Sequence, residues 1–127
     1  MKSSELNKFL YTGLGGDDFK ALIENEAASY GQLMEKVGLR ISLIFDEDEE
    51  LLLNDTSIKK LLQETLSGSL SNVDLAYICD CLTLGERVDY ESEEAKNIIF
   101  EIADPEINGG YKSDEELKSM INALTTE

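Results

Sequence analysis

The residues best spaced for chemistry lie near the end of the chain. Asp104, Glu106, Asn108, Gly109 and Glu115 fall at positions 1, 3, 5, 6 and 12 of a calcium-binding loop of the EF-hand kind. Oxygen ligands at that spacing can wrap a hard divalent cation, and glycine at the sixth position permits the sharp turn the loop needs. Phe100 and Tyr111 suit the flanking apolar positions. Several features count against a bound ion. Glu106 is longer than the usual third ligand, Lys112 brings a positive charge to position 9, and the leucine after position 12 comes one place late. No second hand is visible, although such hands pair. Ser113, Asp114, Glu115 and Glu116 also spell a capping box, which gives these carboxylates a structural task without an ion. No metal site is assigned.

Other catalytic chemistry is poorly supplied. The chain has no histidine, which removes the commonest general base, the imidazole arm of nucleophilic triads and mixed cysteine–histidine zinc sites. Cys79 and Cys81 are the two cysteines, and on a helix they stand about 200° apart, so they do not grip one metal together. Carboxylate pairs carry no information in so acidic a chain, and there is no tryptophan to line a sugar cleft. Gly13-Leu14-Gly15-Gly16 lacks the lysine and flanking strand of a phosphate cradle. The chain is read as a binding protein without cofactor, not as an enzyme.

Charge indicates what it binds. Against 27 Asp and Glu stand 11 Lys and Arg, a formal charge of -16. Such a field repels nucleic acid and anionic membrane and speeds encounter with cationic surfaces. Three stretches are candidates for contact. The run Asp46, Glu47, Asp48, Glu49 and Glu50 is either a solvated turn or a surface that a lysine-rich or arginine-rich partner neutralises. Tyr77 and Asp80, with Val73 and Leu84, occupy the face of a helix opposite its core stripe. That helix is either buried on both sides or lends the tyrosine and aspartate to an interface. Glu86, Asp89, Tyr90 and Glu91, followed by Glu93 and Glu94, form an acidic loop with an aromatic anchor that leads into a helix N-terminus.

The elements that must position these residues are mostly helices. Leu6, Phe9 and Leu10 share a face behind Ser3 and Ser4 as caps, up to about Tyr11. Asp17 caps a second helix, whose stripe from Phe19 to Val37 is interrupted at Gly31, a residue that can divide it in two. Ile58, Leu61, Leu62 and Leu66 form a third stripe that Gly68 stops. Ser71 or Asn72 caps a helix with Leu75, Ile78, Cys79 and Leu82 on one side. Ser92 precedes Ala95, Ile98, Ile99 and Ile102, which end at Asp104-Pro105, and the capping box opens a last helix through Leu124. Between residues 40 and 53 the alternation Ile41, Leu43, Phe45 suggests one arm of a β-hairpin with Leu51 to Leu53 as the return, a continuous helix over 41–45 being the competitor. The expectation is a mainly α, single-domain bundle over 1–127 with five to seven helices and a possible hairpin. The close-set cysteines fit a reducing compartment, Met1 to Lys8 lacks the apolar core of a signal peptide, and a cytoplasmic protein is expected.

The second half of the chain carries a resemblance. Leu70-Ser71-Asn72-Val73-Asp74-Leu75-Ala76-Tyr77-Ile78-Cys79-Asp80-Cys81-Leu82, followed by Ala103-Asp104-Pro105-Glu106-Ile107-Asn108-Gly109, resembles the small acidic immunity proteins of bacterial polymorphic toxin systems, including contact-dependent growth inhibition. The resemblance implies a cytosolic protein that neutralises a basic toxin domain, often a nuclease, in a one-to-one complex by covering its active or substrate-binding surface. That family is diverse in fold, so no binding residue is carried over, and the candidates above rest on charge and pattern. An acidic secretion chaperone or adaptor for a basic partner is the alternative.

Overall fold

A computed structural model describes residues 1–34, 43, 45–103, 105 and 110–125. The chain is mainly helical. Six helices lie among the described residues: α1 (Ser3–Tyr11), α2 (Gly16–Met34), α3 (Asp55–Ser67), α4 (Asn72–Leu84), α5 (Glu93–Ile102) and α6 (Asp114–Thr125). Two short strands, β1 (Leu51–Leu53) and β2 (Val88–Tyr90), complete the order, β1 preceding α3 and β2 following α4. No described helix is long and apolar enough to cross a membrane.

Local chemistry explains most helix ends. Asn54 and Ser57 cap α3 reciprocally, as Ser71 and Asp74 do for α4, each pair satisfying two otherwise orphaned donors. Ser92 accepts from Ala95 N at the start of α5, and Ser113 and Glu116 close the box at α6. Gly68 ends α3 in the left-handed conformation, φ 93°. Two starts differ from expectation. Ser3 and Ser4 are the first residues of α1, whose N-cap Lys2 makes no side-chain cap bond, and α2 begins one residue before Asp17.

α4 is the axis of the molecule. It packs on α2 and on α5, and α3 packs on α6. Leu75, Ile78, Cys79 and Leu82 are buried, and so are Ala76, Tyr77 and Cys81 on the opposite side. Of the face made by Val73, Tyr77, Asp80 and Leu84, Tyr77 is buried and Val73 and Asp80 are half-buried, so burial on both sides describes this helix up to its last turn, where Leu84 is exposed. Gly31 does not divide α2, because its missing side chain is what brings α2 close to α4. A Cβ there would stand 2.9 Å from Val73 Cγ1.

The hairpin is corrected. Leu51–Leu53 is a strand, but it pairs in parallel with Val88–Tyr90, in the register Leu51↔Val88, Leu52↔Asp89, Leu53↔Tyr90. Ile41, Ser42 and Ile44 lie outside the described residues, and Leu43 and Phe45, packed against the core, are in no strand. The alternation of buried Leu51 and Leu53 about exposed Leu52 marks a strand with one wet face, but an alternation does not name its partner. α3 and α4 form the crossover that a parallel pair requires.

Candidate functional site

The acidic run after Phe45 is tied down residue by residue. Asp46 bridges Lys2 through the backbone, Ser3 N donating to Asp46 O at 2.9 Å and Asp46 N to Met1 O at 2.9 Å. The Asp48 carboxylate then accepts from Ser4 Oγ (2.6 Å), Ser4 N (2.9 Å) and Ser3 Oγ (3.0 Å). It serves α1 as the cap that Lys2 does not provide, and a negative charge suits a helix N-terminus. The Ser4 hydroxyl and amide hold the Asp48 carboxyl down at about 2. Glu49 accepts from Asn7 Nδ2 at 3.0 Å. The run is therefore neither a free turn nor a uniform patch.

Glu47 joins this run to the second acidic stretch. Its carboxylate accepts from Glu86 N (3.1 Å) and Arg87 N (2.8 Å), while Arg87 Nη1 donates to Glu47 O at 2.8 Å. Gly85 makes the approach possible, since a Cβ there would stand 2.9 Å from Glu47 Oε1 and 2.5 Å from Val88 Cγ2. Arg87 also lies 3.9 Å from the exposed Glu50. One residue later the β1–β2 ladder begins and sets Asp89 beside Leu52 on the solvent face. Asp46, Glu49 and Glu50 thus come onto one surface with Glu86, Asp89 and Glu91, all exposed, although the two stretches are far apart in sequence.

Next to this surface is a groove of about 540 Å³ between β2, the end of α4 and α5, lined among others by Leu82, Val88, Tyr90, Lys96 and Phe100. Phe100 is 43% exposed, and its ring lies edge-on to Tyr90 at 6.2 Å and carries Lys96 Nζ 5.7 Å above it. Asp89, Glu91 and Glu93 also line the groove. The Tyr90 hydroxyl is buried without a hydrogen-bond partner among the described residues, and burial raises its pKa.

Tyr77 and Asp80 are placed elsewhere. Tyr77 is 2% exposed. Its hydroxyl donates to the Glu26 carboxylate and receives the Met1 amino group at 3.1 Å, and its ring meets Tyr30 edge-on at 5.8 Å. Asp80 accepts from the Tyr30 hydroxyl. Both residues serve the contact of α2 with α4, so Tyr77 as a surface anchor is corrected to a core residue. A polar tip on a large ring suits either position, and the two differ only in what packs over the ring. Tyr90 is the candidate aromatic that does border the acidic surface. Lys96 and Phe100, which shape the groove, were missed as site residues; Phe100 had served only as a flanking position of the calcium loop, and no spacing signal marks either as groove-lining.

Asp104, Glu106, Asn108 and Gly109 lie outside the described residues. Glu115 is exposed in the first turn of α6, 3.7 Å from Lys118, while Glu116 makes the cap. Among the described residues no three acidic or cysteine side chains gather as a metal site. Cys79 and Cys81 are buried thiols; burial lifts Cys79 well above its ordinary value and Cys81 to about 11, leaving both poor nucleophiles. No family model, curated protein or solved structure matches the chain.

Proposed function

We propose that the protein is an immunity-type inhibitor that binds a basic toxin domain, such as a nuclease, and neutralises it by covering its active or substrate-binding surface. The supporting observation is the union of two acidic stretches into one surface by the Glu47 cradle and the β1–β2 ladder. Carboxylates presented together on a rigid support oppose a basic cleft at little ordering cost, and the overall charge of -16 steers the encounter. On this reading the protein acts in the cytosol, one copy to one toxin, by occlusion and not by catalysis.

The test is co-expression with the neighbouring open reading frame. Rescue of growth together with a co-purifying one-to-one complex is the expected result. A neighbour that is not toxic, or whose toxicity this chain does not relieve, overturns the reading and leaves the acidic chaperone or adaptor in its place.

A further inference from the structure

The two edges of the small sheet are unequal. Leu51 N donates to Arg87 O at 3.0 Å and Glu91 N to Leu53 O at 2.9 Å. In a parallel ladder alternate residues face the partner strand, so Arg87, Asp89 and Glu91 serve β1 while Val88 and Tyr90 turn their N–H and C=O groups the other way. Among the described residues those outward groups make no hydrogen bond. The far edge of β1 is closed, because the Tyr11 hydroxyl donates to the Leu52 carbonyl. The open edge of β2 runs along the groove that holds Phe100.

We propose that this edge takes up an extended segment of the partner by strand addition, and that the segment alternates basic with apolar residues. The inference rests on reading the protein as an acidic inhibitor. An unpaired strand edge is a template for another chain. Side chains of an added strand alternate between the two faces of the sheet. Those on the outer face meet exposed Asp89 and Glu91, with Arg87 already engaged by Glu47 and Glu50. Those on the inner face lie beside Val88 and Tyr90, over the Phe100 ring. Charge decides against a second copy of this chain as the occupant, since pairing β2 with itself would set Asp89 and Glu91 against their own kind.

The probe is a blocked heptapeptide of alternating lysine and valine, added to the full chain and followed by amide exchange. Two further peptides carry N-methyl groups, one on every valine amide and one on every lysine amide. The expected result is that the parent peptide slows exchange at Val88 and Tyr90 by about tenfold or more, and that one methylated peptide, not both, loses binding at least tenfold. Failure of the parent peptide to bind, unchanged exchange at Val88 and Tyr90, or equal binding of all three peptides would overturn the inference. A concentration-dependent dimer protecting the same two amides overturns it in favour of a second copy. The inhibitor reading fails separately, through loss of neutralisation in co-expression, and it stands if neutralisation holds while the peptides show contact by charge alone.

Discussion

Asp48 shows how one carboxylate in an acidic run differs from its neighbours. Its three hydrogen bonds to Ser3 and Ser4 anchor the start of α1, so Asp48→Asn should lower the melting temperature by a few degrees at neutral pH. The folded-state pKa is depressed from 3.8 to about 2, so the stability it contributes is fully present above pH 3.8 and is lost as pH falls through about 2. The gap between the wild type and the variant in melting temperature, measured by calorimetry across that window, should close toward pH 2. A gap that does not vary with pH would show that the charge is not what holds α1. This bond could not be read from the sequence, because Ser4 and Asp48 are 44 residues apart and five consecutive acids look alike in a string. Tyr77 illustrates the same gap from the other side, its hydroxyl pointing to a carboxylate on α2 instead of to solvent.

At the scale of elements, what was legible was what is local. The capping box at Ser113 and the stop at Gly68 depend on residues within a turn or so and were read as they stand, while Ser71, offered together with Asn72, is the residue that caps α4, and Ser92, placed just ahead of its helix, caps α5. The apolar stripes of α3, α4 and α5 likewise named buried residues, Leu66 at the end of α3 being the one that is only half-buried. Partners of elements were not legible: β1 was expected to fold back on residues just before it and pairs instead with β2. Gly31 is another case, since a glycine within a helix reads as a weak point until Val73 is seen against it. Valine is stiff at χ1 and yields little to a new methyl group. Gly31→Ala should therefore destabilise the protein by about 1 kcal/mol or more through overpacking. In a Val73→Ala background the same change should instead stabilise, by up to about 1 kcal/mol of helix propensity. Denaturant titration of the four proteins checks the cycle, and additive effects would show that the contact does not limit the approach of α2 to α4.

For the whole molecule the dominant fact is a charge of -16 on a chain whose acids are used unequally. Asp46, Glu50 and Asp89 are exposed on the assembled surface, and among the described residues no side-chain bond ties Asp46 or Asp89, whereas Asp48 has a structural task. If the protein is the proposed inhibitor, reversing Asp46, Glu50 and Asp89 to lysine should slow its association with a basic toxin domain by about tenfold or more at low salt and flatten the salt dependence. Stopped-flow mixing at several ionic strengths measures this, and unchanged rates would remove the surface from the interface. The wild-type fold should persist, since Asp48 and Glu47 are left in place.

The parallel ladder also determines when that surface comes into being. Leu51 meets Val88 only after two whole helices have been laid between them. Helices form from neighbours within microseconds, whereas a contact of this span must first bear the loss of freedom of the chain it encloses. A chain still being synthesised has helices before residues 46–50 and 86–91 are brought onto one surface. Far-ultraviolet dichroism during refolding follows the helices and is blind to the moment at which that surface is assembled.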